Sequence, residues 1–188
     1  MNGWWQLWGS YFSPDECQTI VAQGLKIQPS RAAVGHGSDN RMDDNYRRSE
    51  IRWIGRQDAS WRWLTDKMEH AFQVANGNAF GFDLTYFHEI QFTEYNSAYK
   101  GKYDWHEDVF WVTKDQCHRK LSMVIQLSDP NDYEGGALNV QEQPPDPVKL
   151  QRQGTVLIFP SFLRHRVEPV TRGIRYSLVS WYMGPKFK

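Results

Sequence analysis

The chain is poor in cysteine, carries no excess of charge and has no long apolar run. Each shortage removes a class of protein. Two cysteines, Cys17 and Cys117, stand among 188 residues. They cannot build a disulfide framework, so the fold must rest on a core, and a reducing compartment is expected. Lysine plus arginine number 22, as do aspartate plus glutamate, for a formal charge of zero. That balance offers no broad basic face to a nucleic-acid backbone. No stretch approaches the roughly 20 apolar residues that span a bilayer, so no membrane partner is expected. The opening "MNGWWQLWGS" has neither a basic leader nor an apolar segment, so no signal peptide is predicted. What is abundant is aromatic. Nine Trp, nine Tyr and ten Phe suit a core and a pocket wall.

The length suits one domain over 1–188, with helices mostly in 13–77 and a β core mostly in 82–183. "FSPDECQTIVAQGLK" predicts a helix, because Ser13 is a good N-cap, Pro14 suits the first turn and Glu16 completes a capping box. Residues 28–50 are polar and read as a long loop of the kind that forms lids. In "DASWRWLTDKMEHAFQVANGN" the residues Trp61, Leu64, Met68, Phe72 and Ala75 follow the spacing of one buried helix face. Asn76-Gly77 supplies its stop. From residue 82 the period changes to alternation. Strands are expected at 82–95, 102–106, 120–128, 136–140, 154–160, 166–170 and 174–183, punctuated by glycine and proline. "EQPPDPVKL" reads as a proline-stiffened connection.

The chemistry gathers around "KYDWHEDVFW", residues 102–111. His106-Glu107 begins like a zinc-protease helix, but Phe110 stands where the second histidine belongs, so that reading fails. On an extended strand His106 and Asp108 point to one side and Glu107 to the other. His165 follows the strand-like "GTVLIFP". Two histidines and one carboxylate form a facial triad that holds non-haem Fe(II) and leaves positions open. Zinc can use the same ligands. Among the other histidines, His70 is expected to face solvent, His88 and His118 to be surface or strand residues, and His36 to lie in the glycine-containing loop, where a substrate role stays open.

Several features in order resemble a family: Tyr95, Tyr103, His106-x-Asp108, "RKLSMVIQLSDPNDYEGGAL" at 119–138, His165, Arg175-x-Ser177 and Trp181. Together they are similar to the Fe(II)/2-oxoglutarate-dependent dioxygenases, in particular the prolyl 4-hydroxylase-like group. The resemblance runs from "FSPDEC" to "WYMGP". It implies a double-stranded β-helix, or jelly roll, with supporting N-terminal helices. It implies Fe(II) on His106, Asp108 and His165, and 2-oxoglutarate and O2 as co-substrates, with ascorbate as a supporting reductant. Arg175 would pair with the far carboxylate of 2-oxoglutarate, because a planar guanidinium fork matches a carboxylate. Ser177, Tyr95, Tyr103 and Trp181 would line the co-substrate site. At Gln126 some relatives carry a tyrosine that reaches the same carboxylate. Simple alternation points Tyr103 away from the metal, so the resemblance demands a bend just before His106.

The implied reaction hydroxylates a prolyl residue of a protein or peptide, while 2-oxoglutarate is decarboxylated to succinate and CO2. Asp108 favours hydroxylation over halogenation, since related halogenases lack that carboxylate. Alternatives are a lysyl residue, a free amino acid, a nucleic-acid demethylase or a non-catalytic jelly-roll binding module. Nucleic-acid demethylases use a second arginine six residues after the first, and here that position is Trp181. Arg47 and Arg48, in "YRRSEIRWI", belong either to a charged strand edge or to a substrate lid. Small relatives of this kind occur in bacteria and phages, so a cytoplasmic setting is expected. Oligomeric state is not written in the sequence.

Overall fold

The computed structural model describes residues 3–32 and 42–188. Two antiparallel sheets face each other, with helices on the outer side of the larger one. The strands are β1 (Gln6–Trp8), β2 (Ser30–Arg31), β3 (Arg47–Arg48), β4 (Glu50–Ile54), β5 (Tyr86–Asn96) and β6 (Lys102–His106). They continue as β7 (Cys117–Gln126), β8 (Tyr133–Gly135), β9 (Leu138–Val140), β10 (Val156–Pro160), β11 (His165–Val167) and β12 (Val170–Pro185). Among the described residues the large sheet runs β1-β10-β7-β12-β5-β4-β2, with β8 beside one end of β12. The small sheet runs β3-β6-β11-β9. This is the jelly-roll core that the family resemblance implied, built on the run of short strands that the alternating half of the sequence predicted.

Helix α1 (Pro14–Gly24) starts as its sequence dictates. The Glu16 carboxylate accepts from the Ser13 N–H at 2.7 Å, and the Ser13 hydroxyl accepts from the Glu16 N–H at 3.2 Å. These bonds satisfy two donors that a helix start would otherwise leave open. Helix α2 (Arg62–Ala75) buries the expected face, with Leu64, Met68, Phe72 and Ala75 sealed from solvent. They pack on Phe87, Ile90, Phe92, Leu121, Met123, Ile125, Leu178 and Tyr182 from the outer face of the large sheet. Removing a sealed side chain such as Phe72 would cost about 3–5 kcal/mol.

The structure departs from expectation at three places. Asn76 caps α2 as expected, but the chain does not leave the helix direction there. The chain continues through a wide turn over Asn76–Phe80 and reverses at Gly81, whose φ of 65° is left-handed. The polar stretch 28–50 contains β2 and β3, and β4 follows at once. Their charges mask strands that pair with β5 and β6, and Arg52 stays inside because Glu94 receives it at 3.2 Å. The remaining loop residues 33–41, His36 among them, lie outside the described residues, as does the part of the lid reading that rests on them. The proline-rich connection contains a short helix, α3 (Pro147–Gln151), capped by the Asp146 carboxylate. Among the described residues no helix is long and apolar enough to cross a membrane.

Candidate active site

The two sheets divide the work. β12 is the central strand of the large sheet, and its alternation sends Arg175, Ser177, Val179 and Trp181 inward and Tyr176, Leu178 and Tyr182 toward the helices. β5 adds Gln91 and Tyr95 to the inner face. The small sheet brings the histidines together, because His165 of β11 lies directly opposite His106 of β6. Between the sheets lies a cavity of about 370 Å³. His106, Asp108, His165, Arg175, Tyr95, Tyr103, Ser177 and Trp181 all line it.

His106, Asp108 and His165 offer donor atoms within 4.8 Å of one another. His106 Nε2 is 3.8 Å from Asp108 Oδ1, and His165 Nε2 is 3.5 Å from Asp108 Oδ2. His106 Nδ1 meets the Asp104 carbonyl at 2.7 Å, and His165 Nδ1 meets the Leu163 carbonyl at 2.9 Å. A carbonyl only accepts, so each Nδ1 carries the proton and each Nε2 turns a lone pair to the cluster. Such outer bonds fix ring and tautomer for a metal ligand. Burial, then the neighbouring His165, depresses His106 to about 3, which keeps its ring neutral. Burial opposes the Asp108 charge, but the histidines, Arg119 and the Ser122 hydroxyl outweigh it and hold the carboxyl below its ordinary range. Two neutral imidazoles and a carboxylate fit a single divalent ion.

Asp108 reaches this cluster by a route that alternation does not describe. β6 ends at His106, and Asp108 sits in the turn beyond it. Its N–H donates to the Ser161 carbonyl at 2.8 Å. Its Oδ2 accepts from the Ser122 hydroxyl at 2.6 Å, and Ser122 meets Ser161 Oγ at 2.9 Å. The expected shared face is present, made by a turn instead of a strand. Glu107 is not turned away either. It borders the cavity, where its carboxylate accepts from Trp111 Nε1 at 2.9 Å. Tyr103 does reach the site. Between His165 and Val167 one residue of β11, Arg166, opposes two of β6, Asp104 and Trp105, and this bulge re-aims the Tyr103 ring. The ring stacks on His106 at 3.5 Å. Burial raises the Tyr95 phenol and pushes Tyr103 up to about 12, so both are protonated donors.

Arg175 stands deep in the same cavity, 2% exposed. Its Nε donates to Gln126 Oε1 at 3.0 Å, and the Gln126 amide donates to the Tyr133 hydroxyl at 2.8 Å. Its buried Nη1 has no partner. An unpaired buried guanidinium nitrogen is costly unless a ligand completes it. A carboxylate does so with two parallel bonds, so the 2-oxoglutarate expected here fits the residues present. Gly136 makes room for the arginine: with φ of 61°, a Cβ there would stand 3.0 Å from Arg175 Cδ and 2.8 Å from Val170 Cγ2.

Three contributors, Ser122, Ser161 and Arg119, were given no role in the sequence reading, and a fourth, Arg47, was read only as part of a strand edge or lid. Ser122 and Ser161 sit in apolar strands and turns, where a buried hydroxyl signals a partner to be found. Arg47 lies inside, its guanidinium 4.3 Å over the Tyr103 ring. Arg119 lies 3.6 Å over the Trp181 ring. Of the other histidines, His70 is exposed as expected, His118 is buried and accepts from the Phe187 N–H at 3.2 Å, and His88 leaves a buried Nδ1 unpaired; none joins the cluster.

A jelly roll with two histidines and a carboxylate at one end of its cavity, and a buried arginine deeper within, defines a class: an oxygenase core built for a divalent metal and a carboxylate co-substrate. The model of the 2OG-Fe(II) oxygenase superfamily matches residues 90–183, half of the chain. The chain belongs to that superfamily. A PKHD-type hydroxylase of Synechococcus sp. (strain JA-2-3B'a(2-13)) is 38% identical over 76 residues, which cover 40% of this chain and 34% of the relative. The chain thus spans about a third of the length of the curated relatives it matches first. A Pseudomonas putida prolyl-4-hydroxylase superposes with a TM-score of 0.72 at 21% identity, covering 100% of this chain and 95% of that one. A prolyl hydroxylase from Trichoplax adhaerens, solved with a hypoxia inducible factor peptide fragment, superposes at 0.72 with 18% identity, covering 97% and 84%. These structural likenesses speak to the fold.

Proposed function

We propose that this chain hydroxylates a prolyl residue of a protein or peptide, using Fe(II) and 2-oxoglutarate. The observation that carries this is the unpaired Nη1 of buried Arg175 in the cavity that His106, Asp108 and His165 share. His106 and His165 would hold the metal through Nε2, and Asp108 through its carboxylate. When bound, Fe(II) with 2-oxoglutarate and O2 supplies the oxidising power, and the co-substrate leaves as succinate and CO2. Arg175 orients that co-substrate by pairing with its far carboxylate. Ser177, opposite Gln126 across the β12–β7 ladder, narrows the same floor. The protonated phenols of Tyr95 and Tyr103 donate toward bound oxygens, and Trp181 closes the wall and keeps water out. The names of the sequence relatives and of the structural neighbours support hydroxylation, and the neighbour solved with a peptide supports a peptide substrate.

Incubation with Fe(II), 2-oxoglutarate and ascorbate should release succinate, and more of it when a prolyl peptide is added. His106→Ala and Arg175→Ala should abolish the release. A wild-type protein that binds no 2-oxoglutarate, or variants that match it, would overturn the reading.

A further inference from the structure

Several arginines of the chain pair with acids: Arg52 with Glu94, Arg172 with Glu134, Arg166 with Glu168. At the cavity mouth Arg31 has Asp44. Arg47 and Arg119 break this habit. Both line the cavity, from opposite sheets, and among the described residues neither has a carboxylate within ion-pair distance. Arg47 is 7% exposed and donates through Nε to Ser49 Oγ at 2.9 Å, which leaves both Nη groups open. Arg119 is flattened 3.6 Å over Trp181 and lies 5.3 Å from Phe110. Stacking occupies the flat face of a guanidinium and leaves its N–H edge free to fork onto an anion. The acids nearby are committed, Asp108 to Ser122 and the histidine cluster, Glu107 to Trp111. Arg175 already faces the co-substrate. Arg47 is buried, Arg119 is half-buried with the Asp108 charge acting on it, and neither has a carboxylate in ion-pair contact, so an acid on the remaining ligand can pair with them more closely than the chain's own acids do.

We infer that the substrate carries a carboxylate close to the residue that reacts, and that Arg119, seconded by Arg47, selects it. The substrate class is then an acidic prolyl peptide, with aspartate or glutamate beside the proline or the proline beside a free C-terminal carboxylate. The inference rests on the proposed function and names the substrate class of the same site.

The test uses labelled peptides that differ only in Asp, Asn or Lys next to proline, on either side. Their binding to the protein loaded with Fe(II) and 2-oxoglutarate is read without oxygen by fluorescence anisotropy. The Asp peptide should bind about tenfold tighter than the Asn peptide, as a charge-assisted bond gives. Arg119→Met should erase the preference, Arg47→Met should reduce it, and Arg119→Glu should turn it toward the Lys peptide. Equal binding of Asp and Asn peptides, no binding of the Asp peptide, or a preference that survives both Met variants overturns the inference. The wild-type comparison needs no variant to fold. Succinate release by wild type without peptide separates the two levels: release with no Asp preference sinks the inference alone, and no release sinks the reading beneath it.

Discussion

Ser122→Ala isolates how Asp108 is held. The Ser122 hydroxyl is fully buried and donates to Asp108 Oδ2 at 2.6 Å. A hydrogen bond to a buried carboxylate contributes about 1.5–3 kcal/mol, so the variant should lose that much stability. For a chain of this length each kcal/mol shifts Tm by about 2–4 °C, which gives a drop of roughly 3–12 °C. Asp108 keeps its backbone anchor on the Ser161 carbonyl but loses the bond that orients its carboxylate. Removing an orienting partner of a ligand typically lowers metal affinity about 10–100-fold. Anaerobic Fe(II) titration by calorimetry reads the affinity, and differential scanning calorimetry reads Tm. Ser161→Ala is the control, because it removes the hydroxyl contact to Ser122 at 2.9 Å and leaves the backbone carbonyl in place. Its loss should be about 1 kcal/mol, with little change in metal affinity. If Ser122→Ala binds Fe(II) within twofold of wild type, or if both variants lose affinity equally, the positioning argument is refuted.

Arg175→Lys keeps a cation but surrenders the fork and strands Gln126 Oε1, so the KM for 2-oxoglutarate should rise by about 30–100-fold, read by succinate release; a rise under threefold would show that charge alone suffices. Gly136→Ala forces a side chain into left-handed backbone and against Arg175 Cδ and Val170, so it should cost about 1–3 kcal/mol in urea unfolding and weaken 2-oxoglutarate binding as well; an unchanged midpoint would count against the close packing. Burial works against the Glu16 charge, but Lys67 and Ser13 outweigh it and hold the carboxyl below its ordinary value. A carboxyl depressed in the folded state adds stability above its unfolded pKa and loses it as pH falls through the folded one. Glu16→Gln should therefore lower stability at pH 7, by under about 1 kcal/mol for a pair this exposed, and the gap in Tm should close in acid; a gap constant from pH 7 to pH 2 would remove the ionic account.

The chain showed its chemistry in sequence more openly than its architecture. The capping box at Ser13 and the apolar stripe from Trp61 to Ala75 are local patterns with local causes, and the structure carries both. The candidate metal cluster was legible because histidines near strand ends and an intervening carboxylate are rare company, and the structure brings the three side chains together. Strand β2 was hidden, and β3 and β4 were left as a charged strand edge or a lid, because Arg47, Arg48, Glu50 and Arg52 look like a solvated loop until partners elsewhere supply Ser49, Glu94 and the Tyr103 ring. Sequence distance conceals such compensation: Arg52 and Glu94 are joined only by the pairing of β4 with β5.

The two cavity residues that alternation misplaces share one cause. On β7, Ser122, Val124 and Gln126 face inward, so Arg119 should face out. Between Tyr182 and Met183 the β12–β7 register skips Lys120, and beyond that bulge the phase inverts. Lys120 then points outward, its ammonium 3.5 Å over the Phe187 ring, and Arg119 turns in to lie on Trp181. On β6 the bulge before His106 does the same for Tyr103. A bulge adds one residue and exchanges the faces of everything beyond it. Both inversions deliver a polar side chain to the cavity, where regular alternation would have sent it to the outside. The bulges therefore decide which side chains surround the substrate, and straightening either one would empty a cavity wall without changing a single residue of the metal cluster.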